Sequence, residues 1–144
     1  MISVDYLILA DAAAAVAGKH YIHGGGWDTI QTVSFPVTHH AMSVAVRLRV
    51  PWTATNQPYD LELDIVNADG QSILPTPPGP FTGTFNIGRP THLAPGEDQV
   101  VPLVMDIRSL VFQEAGMYAA ILRVGGFEAT RSPFRLVQVG EAVR

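Results

Sequence analysis

The clearest pattern in the chain is an alternation of apolar and polar side chains with a period of two residues. Between Met42 and Val50 every even position is apolar, and the odd positions include Arg47 and Arg49. Successive side chains of a β-strand point to opposite faces of the sheet. This segment is therefore expected to be a half-buried strand, with one face in a core and the other in water.

A second alternating segment covers residues 59–65 and follows a connection, residues 51–58, that is too long for a two-residue turn. Its polar positions are all acidic: Asp60, Glu62 and Asp64. The two strands are expected to form a long-looped hairpin or to lie in different sheets. If they are neighbours, Arg47 and Arg49 would face the carboxylates in a cross-strand ladder of ion pairs. We expect that ladder in preference to a catalytic pair of carboxylates.

Shorter apolar or alternating runs predict eight further strands. They cover residues 4–10, 20–23, 27–35, 71–74, 81–87, 100–107, 117–124 and 134–139. Turn signals separate the runs, among them Asp69-Gly70, Gly125-Gly126 and Pro133. Strands at this spacing are typical of an antiparallel sandwich. We therefore predict one all-β domain over residues 1–144, an immunoglobulin-like β-sandwich of about nine strands with at most one short helix.

Residues 11–17 are the one segment whose pattern fits a helix. Asp11 is a suitable N-cap, the following residues are mostly alanine, and Gly18 could end the helix. Helix propensity is a weak guide, and so short a helix is marginal by itself. A helix of one or two turns and a loop or strand end are both compatible with this segment.

Composition and charge narrow the classes of partner. The chain has 144 residues, is 47% hydrophobic, contains no Cys and has a formal net charge of -4. Its only lysine is Lys19, so no basic patch for nucleic acid or anionic lipid is expected. The apolar N-terminal residues lack a positive region and are interrupted by Asp5 and Asp11, so no signal peptide and no membrane anchor are expected. We expect a cytoplasmic or virion-associated protein.

Five histidines raise the question of a metal site. His20 and His23 are three residues apart and His39 and His40 are neighbours, so on a strand the members of each pair point to opposite faces. The sequence therefore predicts surface or loop-end histidines, no metal site and no cofactor.

Three consecutive glycines, Gly24, Gly25 and Gly26, precede Trp27. A phosphate-binding loop would need a following Gly-Lys-Ser/Thr and a helix, whereas here a strand pattern follows. We expect a tight connection that uses positive φ or a close backbone approach, with the Trp27 ring in the core and its indole N–H bonded to a carbonyl. An oligomer interface is the alternative position for Trp27.

Tyr118 follows Gly116 at the start of a predicted strand. Gly-x-Tyr in this position resembles the tyrosine corner of immunoglobulin-like sandwiches, in which the hydroxyl bonds to upstream backbone. Tyr118 is therefore expected to stabilise the fold.

Motifs along most of the chain resemble one family. Ala10-Asp11-Ala12-Ala13, Gly18-Lys19-His20-Tyr21-Ile22 and Gly24-Gly25-Gly26-Trp27-Asp28 look like the start of a bacterial and phage-associated family known only as a domain of unknown function. Gly88-Arg89-Pro90, Pro95-Gly96, Val101-Pro102-Leu103, Gly116-x-Tyr118 and Pro133-Phe134 resemble its second half. The resemblance implies a β-sandwich and no known activity.

For function, the sequence favours a non-enzymatic binding or assembly module that associates with copies of itself or with another protein. Sheet edges and four outward apolar positions motivate this hypothesis: Val100, Val104, Ile121 and Val137. Loops of the same chain are the alternative cover for these positions. A small molecule or glycan stacked on Trp27 and Trp52 is a second hypothesis, and a hydrolase with His and Asp from separate loops is a third.

Overall fold

A computed structural model describes residues 1–77 and 79–140 and contains nine β-strands. The strands are β1 (Ser3–Val16), β2 (Lys19–Gly25), β3 (Thr29–Thr32), β4 (Val37–Val50), β5 (Pro58–Val66), β6 (Phe81–Asn86), β7 (Gln99–Phe112), β8 (Gly116–Val124) and β9 (Phe127–Gln138). A single 3-10 turn, Trp52–Ala54, is the only helical segment among the described residues. The prediction of an all-β protein with about nine strands is confirmed. No helix in the described ranges is long and apolar enough to span a membrane.

The strands form two sheets. The four-stranded sheet has the order β2-β1-β4-β7, and the five-stranded sheet has the order β3-β9-β8-β5-β6. One core joins the sheets, since residues of β4 such as Val44 and Val46 belong to the same buried cluster as Leu63 and Leu122. The strand pairs are antiparallel except that of β3, which runs parallel to β9 from Thr29 opposite Arg135 to Thr32 opposite Gln138, so the five-stranded sheet is mixed.

Residues 11–17 do not form a helix. They continue β1 beyond Ala10 and pair with β2, up to Val16 opposite Lys19. Ala17 and Gly18 have φ values of 51° and 75°, as required in a tight two-residue hairpin turn. The ladder to β2 provides backbone partners that an isolated short helix would lack, so it overrides the helix propensity of alanine.

The hairpin of β1 and β2 folds back over the outer face of the four-stranded sheet. His20 lies near the hairpin tip, yet its Nδ1 accepts a hydrogen bond from the Tyr6 hydroxyl at 2.6 Å. Its Nε2 lies 3.0 Å from the carbonyl oxygen of Leu103 on β7. Ala45, whose side chain is on this outer face, is fully buried beneath the hairpin.

The four apolar positions that were expected to face outward are partly or fully buried in the structure. Val104 lies beside Ala45 on the face that the hairpin crosses, and it is half-buried. Ile121 is buried with Val66 and Ala119 on the outer face of the other sheet. Val100 and Val137 are half-buried. These four residues therefore do not form an exposed apolar patch.

The predicted ion-pair ladder between residues 47–49 and residues 60–64 is wrong, because β4 and β5 lie in different sheets. Arg49 pairs with Asp5 of β1, with Nη2 2.9 Å from Oδ2. This bond lowers the pKa of Asp5. Arg47 lies 3.3 Å from the same carboxylate. The long connection between the strands crosses from one sheet to the other instead of forming a hairpin.

Two further strand boundaries differ from the prediction. Residues 71–74 contribute only an isolated bridge between Ser72 and Val66. Pro133 does not break a strand but lies within β9, opposite Ala119. The Arg135 N–H donates to the Asp28 carbonyl on the β3 side of β9. Backbone groups two residues apart point to the same side of a strand, so the nitrogen of Pro133 also faces this edge. At Pro133 the edge has no partner, because β3 pairs with β9 only from Arg135 onward. Proline is tolerated there because no ladder hydrogen bond needs its N–H.

Candidate interaction edge

The glycine run lies at the bend where the β1–β2 hairpin leaves the sheet. Gly24 has a φ of 58°, and a Cβ atom at this position would collide with the Asp11 carboxylate. A Cβ atom at Gly25 would lie 2.5 Å from Cγ2 of Ile22. The Gly26 N–H donates to the Leu9 carbonyl at 2.8 Å, and its φ is 87°. The run therefore serves a sharp bend with close approach of neighbouring groups.

Trp27 packs at the margin of the core. Its ring makes edge contacts with Phe134 at a centroid distance of 6.3 Å and with His39 at 6.1 Å. Burial lowers the pKa of His39. The expected bond from the indole N–H to a carbonyl is wrong, because Nε1 is buried without a hydrogen-bond partner in the described part of the chain.

Trp52 lies in the 3-10 turn and is covered by Arg89. The guanidinium carbon of Arg89 is 4.0 Å from the ring centroid, a cation–π geometry. The same guanidinium donates to Oγ1 of Thr55 and, at 3.0 Å, to the carbonyl oxygen of Trp52. The covered face of Trp52 is therefore occupied by the protein itself and is not available for stacking with a ligand.

Tyr118 has the geometry of a tyrosine corner. Its hydroxyl donates to the carbonyl oxygen of Glu114 at 2.6 Å. The ring is buried against Phe112 and Phe134. Burial is the main cause that raises the pKa of the hydroxyl. The bond connects the start of β8 to the preceding turn.

We expect the Tyr118→Phe variant to lose about 0.5–1.5 kcal/mol of unfolding free energy, because one buried hydrogen bond is removed while the ring remains. Urea unfolding followed by circular dichroism measures the change. Tyr59→Phe is the matched control, since its hydroxyl makes only an exposed contact of 3.4 Å with Gln57. An unchanged midpoint for Tyr118→Phe would show that the corner bond does not stabilise the fold.

The histidines do not converge. His20 is bonded under the hairpin, whereas His23 of the same strand is exposed. His39 contacts Trp27, whereas the neighbouring His40 is exposed. Within residues 1–77 and 79–140, no three His, Asp or Glu side chains are grouped so that they could hold a metal ion.

Free sheet edges differ in how they are protected. The edge strand β7 contains Pro102, Arg108 and the positive-φ residue Ser109. The edge strand β3 has only four residues. Charges, proline, irregular backbone and short length are the usual ways to prevent edge-to-edge association.

β6 lacks this protection. In the described part of the chain it pairs only with β5. Its six residues, Phe81–Asn86, include no charged residue and no proline, and four of the first five positions are Phe or Thr. Phe81 is 38% exposed. β6 is therefore an open edge with residues that favour strands.

A groove of about 460 Å³, lined by polar and apolar groups in similar amounts, adjoins this edge. Its lining includes Thr82, Gly83 and Thr84 of β6 and Glu62 of β5. The Arg123 Nη1 donates to the Glu62 carboxylate at 2.8 Å. The Thr84 hydroxyl donates to Oδ1 of Asp60 at 3.2 Å. The carboxylates beside β6 thus already have partners within the chain.

A second groove, of about 380 Å³, lies where the N-terminus meets the β8–β9 turn. Its lining is mostly apolar and includes Met1, Ile2, Tyr59 and Phe127. Among the described residues that line these two grooves, neither Trp27 nor Trp52 is present. The structure does not bring the two tryptophans together in a ligand site at these grooves.

The sequence pattern of residues 81–87 predicts a strand but does not mark it as a functional element. Nothing in a single strand pattern states whether the strand lies at an edge. The available signal was the order Phe81-Thr82-Gly83-Thr84-Phe85, which reads the same in both directions.

The two sheets packed on one core define the protein as a β-sandwich. Residues 5–137 match a family of unknown function, DUF6941. The chain belongs to this family, and the resemblance to an uncharacterised family is confirmed. No curated protein matches the chain in sequence.

Among solved structures, the chain is similar to the Pseudomonas fluorescens alkylpurine DNA glycosylase AlkC bound to DNA containing an abasic site analog. The sequence identity is 12% and the TM-score is 0.42. The similarity covers 94% of this chain but only 30% of the glycosylase chain.

Proposed function

We propose that this protein is a non-enzymatic assembly module that associates with copies of itself. The observation that supports the proposal is the open edge strand β6, which lacks charge and proline along its whole length. By contrast, the edge strand β7 contains a charged residue, a proline and irregular backbone, and the edge strand β3 has only four residues, features that oppose pairing. The contrast favours association at one chosen edge.

The physical basis is the unpaired backbone of an edge strand. Its outward N–H and C=O groups are ready to pair with a strand of another chain. Most oligomers of soluble proteins are formed by identical chains, and the twofold dimer is the commonest arrangement. A second copy is therefore the partner that we propose.

Sedimentation velocity of the full chain over a range of micromolar concentrations tests this function. We expect the mean mass to rise with concentration from that of the 15.5 kDa monomer toward a defined multiple. A mass that remains that of the monomer at every concentration would show that the protein is not a self-associating module.

A further inference from the structure

We infer that two copies pair antiparallel through β6 around a twofold axis at Gly83, so that their five-stranded sheets join into one continuous sheet. This inference deepens the proposed function and rests on it. It specifies the strand, the register and the residue at the axis.

Backbone hydrogen bonds determine which groups of β6 point outward. The Asp60 carbonyl accepts from the Gly125 N–H at 2.8 Å, so Asp60 directs its backbone groups toward the β8 side. The next residue, Leu61, directs them toward β6, because the direction alternates along a strand. Leu61 is paired with Gly83. Gly83 therefore directs its backbone groups to β5.

The neighbours of Gly83 have the opposite orientation. Thr82 and Thr84 direct their N–H and C=O groups to the open edge. An independent contact gives the same alternation: the Ile73 N–H donates to the carbonyl of Ile65, an odd-numbered residue of β5, on the β6 side of that strand. Thr82 and Thr84 therefore provide the free backbone N–H and C=O groups with which this edge can pair.

The order of residues in β6 fits a twofold axis. If Gly83 faces Gly83 of a second copy, Thr82 of each copy is opposite Thr84 of the other. Each Thr82–Thr84 pair then exchanges two N–H···O bonds, as in a hydrogen-bonded antiparallel pair. The same register places Phe81 opposite Phe85. Threonine pairs and aromatic pairs are favourable cross-strand neighbours.

Glycine suits the axis position. The Gly83–Gly83 pair is of the non-hydrogen-bonded type, in which the two Cα atoms approach to about 4.5 Å. Within one copy, a Cβ atom at Gly83 would have no atom within 4 Å, so the space beside it is open. Flanking aromatic side chains commonly cover a glycine in a paired sheet.

Charges do not oppose this arrangement. Each copy's Asp60 and Glu62 lie one strand away from the axis, and the threonines of β6 separate them from the second copy. Glu62 also forms an ion pair with Arg123. Pairing therefore places no carboxylates directly opposite each other.

A charge-swap experiment at the axis tests the register. Gly83→Glu and Gly83→Lys are each expected to raise the dissociation constant at least about tenfold, because two like charges meet at the axis. An equimolar mixture of the two variants is expected to restore a dimer that contains one copy of each. Because the space at Gly83 is open, both variants are expected to keep the wild-type circular dichroism spectrum.

A backbone variant tests the same edge by a different route. Thr84→Pro removes an outward N–H that the β5 ladder does not use, and we expect it to be monomeric and folded. Thr84→Val is the matched control: it loses the hydroxyl bond to Asp60 but keeps the N–H, and it is expected to associate like the wild type.

The outcomes separate this inference from the proposed function. If the wild type associates while Gly83→Glu, Gly83→Lys and Thr84→Pro associate equally well, the β6 interface is wrong and self-association stands. If Thr84→Pro is monomeric but the charge-swap mixture forms no dimer, the Gly83 axis is wrong. A wild type that is monomeric at all concentrations overturns both.

Discussion

Phe134→Ala is expected to lower the free energy of unfolding by about 4 kcal/mol, in the range for truncation of a buried aromatic side chain. Phe134 is fully buried. Its ring meets Phe112 edge-on at a centroid distance of 6.0 Å and is stacked with Tyr118 at 5.9 Å. The variant therefore loses aromatic contacts in addition to buried area. Denaturant unfolding measures the loss.

The control for this variant is Phe127→Ala in the same strand. Phe127 is 78% exposed, so its truncation is expected to change stability by less than about 0.5 kcal/mol. Equal effects of the two substitutions would contradict the position of Phe134 at the centre of the aromatic cluster.

Trp27→Ala is expected to cost about 3 kcal/mol, at the lower end of the range for large aromatic truncations because the ring lies at the core margin. The substitution removes the contacts with Phe134 and His39 and leaves the segment between the glycine bend and β3 without its anchor. The expected result is a lower unfolding midpoint and a less soluble protein.

The alternative role of Trp27 has a different signature. If Trp27→Ala keeps the wild-type unfolding midpoint but loses self-association in sedimentation, the ring is an interface hot spot and the structural role is wrong. Trp52→Phe provides a comparison, since it retains a ring beneath Arg89.

The sequence predicted the strands well where one face of a strand is buried and the other is wet. Residues 42–50 show this, since alternation reports burial directly. Partners of strands were harder to predict. Because β5 lies across the sandwich from β4, the predicted ladder from Arg47 to the acidic residues of β5 does not form. A strand's own pattern contains no information about which sheet the next strand joins.

The candidate site shows the same limit. The strand nature of β6 is visible in its sequence, but its edge position depends on the order of the whole sheet. The bend at Gly24 and Gly25 was predicted as a tight connection, yet the fold-back of the hairpin became visible only through the His20 contacts. Residue types such as the glycines predict the local backbone geometry. Which parts of a sheet are covered or exposed depends on contacts between residues that are distant in sequence.

The parallel pairing of β3 with β9 sets an order for folding during synthesis on the ribosome. Thr29 meets Arg135, about a hundred residues later in the chain, so β3 has no partner strand until β9 has been synthesised. The four-stranded sheet needs only residues up to β7 and can assemble while β8 and β9 are still being made. Trp27 therefore lacks its contact with Phe134 until β9 has been synthesised, and until then the nascent chain carries this large apolar ring without that packing partner.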